Sequence, residues 1–520
     1  MPHDRSDLFT PPDAGGTSGL WYRSRRWVRR HVWWLALCLV VVVGITAASY
    51  LNRPNNDCGG PNSGVHKIGG ECVGVTDGGY PYDSSIAGLE HRIALENAAV
   101  SGSGHTVTIA LLDPLTVNDT SAVASAQVGY ELEGAYTAQF RINHNPAIGD
   151  QLPLVRLVLA NWGSHELEWQ PVVEQLAAMV HDPDPLVAVV GLRLSTVQTQ
   201  QAAQDLAQHN IPMVSSIATA DELNYGAIRG FLRASPPNSE YVKAIQQYLA
   251  HRPELDSAMV VYDANSDANP DAGTNSGADL FTRSLRDDLE GQLAGLIRYP
   301  AQNYVGRSGP TPANPDLFTS ITTNICAASP KVVLYAGRVV DFDGFLQSLR
   351  SRVCPYLPLT VIATGADFGG LRLREQEAAL RAANISIAYA TEADAQGWVA
   401  HAPGTPLGFK AFYTQFQQLG FAPADLNDGS AVSIHDALLI AAKAARLYSS
   451  SDPAHGVPSA NDVLNQMLNL NNLNAVPGAS GQMSFSYRAA DSGNPSNKPI
   501  PVIEVPSSAE VQTSEVYLTK

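Results

Sequence analysis

The sequence predicts an α/β protein of two parallel-sheet lobes, preceded by one transmembrane helix. Three observations carry that expectation. Short runs rich in Val, Ile and Leu alternate with amphipathic helical stretches over most of the 520 residues, which is the pattern of parallel strands covered by helices. Proline-containing breaks at 234–258 and 390–410 interrupt the alternation where a chain would pass between lobes. Val32 to Leu51 contains no charged side chain, and twenty helical residues rising about 1.5 Å each match a hydrocarbon core of about 30 Å.

Taken in order, residues 1–31 read as a cytoplasmic tail and 32–51 as the membrane helix. Arg23, Arg25, Arg26, Arg29 and Arg30 form a cationic block just before the apolar run, and such blocks stay on the cytoplasmic side. The expected location is therefore the cell membrane, single-pass, with the main domain extracytoplasmic. A cleaved signal peptide is the rival reading, because Ala47-Ala48-Ser49 offers small residues, but the apolar run is longer than a usual signal core. Residues 52–84, full of Gly and Asn, read as a linker. Cys58, Cys72, Cys326 and Cys354 lie beyond the membrane segment, an even number in a compartment that permits disulfides. Sequence order suggests Cys58–Cys72 and Cys326–Cys354. Metal binding is disfavoured because no CxxC spacing occurs.

Eight strands are expected: TVTIALL (106–112), LPLVRLVLA (152–160), PLVAVVG (185–191), IPMVSS (211–216), SAMVVYD (257–263), KVVLYAG (331–337), LTVIATG (359–365) and ISIAYA (385–390). They divide into a first lobe of 85–233 plus 391–480 and a second of 234–390 plus 481–520. The chain carries a net charge of −16, and its acidity beyond the membrane segment would repel nucleic acid.

Two small hydroxyl clusters follow strands directly. Ser195-Thr196-Val197-Gln198 and Thr219-Ala220-Asp221-Glu222 both fit the capping box at a helix N-terminus. The same helix ends can hold a carboxylate, because free amides and the helix dipole attract anions, and ligands of open α/β sheets sit at the carboxyl ends of the strands. Asp263 to Thr274 alternates oxygen-bearing side chains in the manner of a calcium loop, yet Ala268 stands where the turn needs Gly and Thr274 where a bidentate Glu belongs. Catalytic patterns are weak. His165-Glu166 lacks a second His four residues after the first, Ser433, His435 and Asp436 are neighbours on one helical segment, and Asp367-Phe368-Gly369 has no accompanying kinase motif.

Over roughly 105–505 the chain resembles the type I periplasmic binding proteins, especially the branch that binds leucine, isoleucine and valine. The resemblance lies in the order and spacing of VTIALLDPLT, LEGAYTAQFRIN, VVGLRLSTVQTQQAA, IPMVSSIATADEL, FLRASPPNSEYVKAI, VVLYAGRVVDFDGFLQSLR, SIHDALLIAAKAARL and ASGQMSFSYRAADSGNP. It implies two Rossmann-like lobes with three hinge crossings that close on an amino acid or similar small zwitterion, delivered to an ABC permease. Such a protein is not an enzyme and uses no cofactor. The alternative is a membrane-anchored sensor that signals through a partner protein. By the same resemblance the ligand carboxylate would fall to Ser195, Thr196, Ala218 and Thr219, and the ammonium to Asp367. The chain departs from the family at Ser276, which occupies the approximate place of a pocket aromatic, and at Arg338, which falls near another pocket position and would suit an acidic ligand.

Overall fold

Strand β3 (Thr106–Asp113) sets the first lobe, because all eight of its residues are buried and a strand covered on both faces has a mostly apolar run at its centre. The computed structural model describes residues 58–59, 63–145, 151–267, 279–306, 317–371, 373–451, 456–486, 492–507 and 514–520. Parallel neighbours of β3 are β4 (Leu154–Asn161) and β5 (Leu186–Gly191), followed outward by β6 (Met213–Ser215) and β7 (Phe231–Arg233). The second sheet runs β9 (Gln302–Tyr304), β8 (Ala258–Asp263), β10 (Val332–Ala336), β11 (Leu359–Thr364) and β12 (Ile385–Ala390), again in parallel. All eight expected strands are present. Two three-residue strands, β7 and β9, were not foreseen.

The sheets are mixed, not purely parallel. The stretch expected to be a linker instead forms a hairpin, β1 (Val65–Ile68) and β2 (Glu71–Thr76), and β2 pairs antiparallel with β4. The hairpin forms because Gly69 and Gly70 both take positive φ at its turn, and because Val65 and Val73 reach the core. Cys58–Cys72 ties the segment before β1 to the second residue of β2, and Cys326–Cys354 forms the second disulfide. The second sheet gains β16 (Pro499–Val505) and β17 (Glu515–Leu518), both antiparallel to their neighbours. A small sheet of β13 (Val476–Gly478), β14 (Gly481–Phe485) and β15 (Pro495–Ser496) precedes them. Met483 and Phe485 of β14 lie in the first lobe's core, so the first lobe extends past residue 480, where the second had been expected to resume.

Each sheet has apolar cores on both faces. The helix Ser430–Ser451 returns to pack on Ser125–His144, and their approach requires Gly134, where a Cβ would stand 2.2 Å from the Ala431 carbonyl oxygen.

The chain passes between lobes near Arg233–Asn238, Ala390–Asp394 and Asn497–Pro499. A buried polar network ties the three passages together. Lys498 Nζ donates to the Ala234 carbonyl at 2.6 Å and to Ser480 Oγ at 2.7 Å. Ser480 Oγ in turn donates to Asp436, which also accepts the Ala479 and Ser480 amides. Glu392 takes hydrogen bonds from Tyr241 and Ser433. His435 lies between Asp436 and Arg141, and burial pushes its pKa down to about 4. The neighbouring Ser433, His435 and Asp436 thus serve a structural network, Ser433 turning to Glu392 and away from His435.

Among the described residues no helix is long and apolar enough to cross a membrane. Val32–Leu51 and the tail before it lie outside the described residues.

Candidate functional site

Parallel strands of both lobes end at one cleft. After β5 come Arg193, Leu194 and Ser195, after β6 Ile217 and Thr219, after β10 Arg338 and Val339, and at the end of β11 Thr364, Gly365 and Phe368. Phe281, in the first turn of the helix Leu280–Gln292, completes the second lobe's contribution. The space between these residues is about 500 Å³ when the open solvent at its mouth is counted.

Ser195 and Thr196 do meet the Thr219 turn, but differently from the expectation. Thr196 caps the helix Val197–Gln208, accepting from the Thr199 amide at 3.0 Å. Ser195 Oγ is already committed, accepting from the amides of Thr219 at 3.0 Å and Ala220 at 3.1 Å. No helix begins at Thr219. The run from Asp221 to Gly230 forms turns, and the Asp221 carboxylate accepts from Ser239 and Ser284. The amides proposed for a carboxylate are therefore taken up internally. Ala218 is buried, its amide on Ser215 and its carbonyl on Arg233.

What remains for a ligand is the Thr219 hydroxyl. Thr219 and Thr364, one from each lobe, are 2% and 1% exposed, and among the described residues neither hydroxyl has a hydrogen-bond partner. Burying an unpaired hydroxyl costs on the order of 1–3 kcal/mol, so two of them in one cleft are unexplained until something fills it. Thr364 was not singled out from the sequence. LTVIATG reads as the end of a strand, and no spacing rule distinguishes its last Thr from a core residue.

Arg338 lines the cleft and is buried. Its Nε and Nη2 hold the two oxygens of Asp279 at 2.7 and 3.0 Å, a bidentate geometry that fixes the guanidinium. Arg193 is anchored in the first lobe on Glu131 at 3.1 Å and Ser430 at 3.1 Å. Asp367 falls in a short 3-10 helix, Ala366–Leu371, with its side chain outside the description. Ser276, and residues 268–274 of the candidate calcium loop, also lie outside the described residues. Asp263, the first residue of that loop, is buried and accepts the amides of Asn265 and Gly306.

The lobes touch around the cleft. Thr196 bridges antiparallel to Asp279, and the Phe281 amide donates to the Ser195 carbonyl at 3.0 Å. Arg283 pairs with Glu222 at 2.8 Å. Glu166 is buried beside this junction, with Thr196 and Thr199 hydroxyls on its carboxylate. Burial raises its pKa to about 7 against those hydrogen bonds and the charge of Arg338. The sequence offered Glu166 only as half of an incomplete zinc motif, whereas it is a junction residue. At another point of contact, a Cβ on Gly369 would stand 1.7 Å from the Asn427 carbonyl oxygen.

Sequence comparison finds no matching family pattern and no matching curated relative. Among solved structures the chain is similar to a leucine binding protein from Thermotoga maritima, at 17% identity and a TM-score of 0.53 over 80% of this chain and 98% of that one. It is also similar to the branched-chain amino acid transporter substrate binding protein of Streptococcus pneumoniae in complex with isoleucine (15% identity, 79% and 99% covered, TM-score 0.54). A third is a solute binding protein of an ABC transporter from Rhodopseudomonas palustris in complex with p-hydroxybenzoic acid (12%, 80% and 98%, TM-score 0.55). At these identities the likeness is one of fold, the two-lobed type I periplasmic binding protein fold, and these neighbours are substrate-binding proteins.

Proposed function

We propose that this chain is a solute-binding receptor that closes two lobes on an amino acid or a similar small carboxylate-bearing molecule. The observation that supports this best is the pair of unpartnered buried hydroxyls, Thr219 and Thr364, facing one cleft from opposite lobes. Closure would be driven by contacts that exist only when both lobes reach the ligand.

The reading extends to an ABC permease as the partner that receives the solute, since the Streptococcus pneumoniae and Rhodopseudomonas palustris neighbours are binding proteins of transporters. It also extends to anchoring by Val32–Leu51 with the lobes outside the cytoplasm, a proposal that rests on the uncharged run and the arginines before it.

Thermal unfolding of the full chain against amino acids, small peptides, amides and organic acids tests the proposal. A ligand at a hundred times its Kd should add about 2.7 kcal/mol to native stability, and Thr219→Val or Thr364→Val should diminish that gain. A melting temperature unmoved by the whole panel would sink the receptor reading.

A further inference from the structure

We propose that closure of the two lobes takes up a proton, shared between Asp221 of the first lobe and Asp288 of the second. The proposal rests on the reading that the lobes open and close, and not on which solute they take.

The helix Leu280–Gln292 is where the lobes grip each other. Its Leu285 and Leu289 lie in the second lobe's core, whereas Leu280 is buried among apolar residues of the first. Ser284, Asp288 and Gln292 recur every fourth residue and so share one face of this helix. That face meets Asp221, two residues past Thr219. Ser284 Oγ donates to Asp221 Oδ2 at 2.9 Å and accepts the Asp221 amide at 3.1 Å. The amide and hydroxyl of Ser239, in the first turn of the helix Asn238–Ala250, donate to the same carboxylate. Asp288 stands one turn beyond Ser284, within hydrogen-bonding reach of Asp221. Gln292 Nε2 donates to Asp288 Oδ1 at 3.4 Å, while Oδ2 is enclosed and has no donor among the described residues. Two carboxylates in contact cannot both stay ionised, and one proton between them both removes the repulsion and supplies the missing donor.

The other charged groups around the pair are engaged elsewhere. Arg233 attracts Asp221 through its charge alone, its Nη1 and Nη2 resting on the Ala218 and Ala220 carbonyls. Glu222 pairs with Arg283, Glu240 with Lys243, and Asp267 and Asp287 with Arg286. Arg229 turns to Asn210, Asp263 accepts the Asn265 and Gly306 amides, and Glu290 is exposed. Burial and the charge of Asp221 push the Asp288 pKa up to about 8. When the lobes part, the Asp288 carboxyl regains water and the ordinary value of about 4. The shut form thus keeps a proton that the open form gives up, and between those two values the ratio of open to shut rises about tenfold per pH unit.

Small-angle scattering of the unliganded full-length chain from pH 5 to pH 9 tests this, with circular dichroism to confirm that the chain stays folded. The radius of gyration should grow as pH rises. Asp288→Asn, whose amide can donate to Asp221 at every pH, should hold the narrow dimension at pH 9. Should that variant fail to fold, Asp288→Ala removes the second charge outright and should abolish the response as well. A wild-type dimension that stays constant across the range overturns the proposal. So does a response that survives at full size in either folded variant, which would assign it to another raised carboxyl of the junction such as Glu166. No solute is added, so either failure leaves the melting test of the receptor reading standing.

Discussion

Thr219 and Thr364 make a discriminating pair of positions because the two possible roles of a buried hydroxyl have opposite signatures. If they only fill space, replacing the hydroxyl with the isosteric methyl of Val removes an unpaired polar group and raises stability by about 1 kcal/mol. If they also receive the solute, the same change weakens ligand binding by tenfold or more while the unliganded melting temperature holds or rises. Loss of both stability and affinity would show that the hydroxyls are engaged elsewhere. Glu166 gives a prediction in pH. Its pKa, raised by burial to about 7 from an ordinary 4.5, means the native state holds a proton that the unfolded chain gives up near pH 4.5. Stability from this group is therefore full below about pH 4.5 and is lost as pH climbs through 7, a change of about 3 kcal/mol. Glu166→Gln should flatten part of that decline between pH 5 and 8. Glu90, Glu133 and Asp288, also raised, should retain the remainder, and an unchanged slope would mean that Glu166 is solvated. At this scale the sequence was partly legible. Ser195, Thr196 and Thr219 could be pointed to as hydroxyl clusters between strands and helices, and Arg338 only through the family resemblance. That Ser195 spends its hydroxyl on the Thr219 and Ala220 amides could not be read, since it depends on how two loops meet.

Elements were most legible where burial is complete. Strands β3, β5, β10 and β11 are continuous Val/Ile/Leu runs because helices cover both faces of a parallel sheet. The β1–β2 hairpin was missed for the converse reason. Its residues VHKI and ECVGVT are half exposed at a sheet edge and broken by glycine, so their composition resembles a linker's. Helix packing left a clear trace only at Gly134. Its Cβ position is blocked by the Ala431 carbonyl, so Gly134→Ala should force the helices Ser125–His144 and Ser430–Ser451 apart and cost about 1–3 kcal/mol. Urea unfolding measures it, and a change below about 0.5 kcal/mol would mean that the helices separate freely. The second disulfide closes a segment with a sequence separation of 28. Replacing Cys326 and Cys354 by Ser should cost about 3–4 kcal/mol on the chain-entropy account.

For the whole molecule, the presence of two sheets was legible from the strand–helix alternation, while the point where the first lobe ends and the contacts that hold the lobes together were not, because they join residues far apart in the chain. Gly369 is the clearest case. With its Cβ position 1.7 Å from the Asn427 carbonyl oxygen, Gly369→Ala should wedge the lobes apart, weaken solute binding severalfold and widen the particle in small-angle scattering, with each lobe still folded. A variant with unchanged scattering and affinity would show that this contact does not limit closure. The buried lysine where the three passages meet has a different consequence. Salt screens exposed charges over about 8–10 Å but hardly reaches desolvated ones, and Lys498, Asp436 and Glu392 are all fully buried or nearly so. The balance between open and shut forms should therefore be indifferent to ionic strength. The exposed surface of a chain of net charge −16 should feel added salt, while the spine on which the lobes turn keeps the same stiffness.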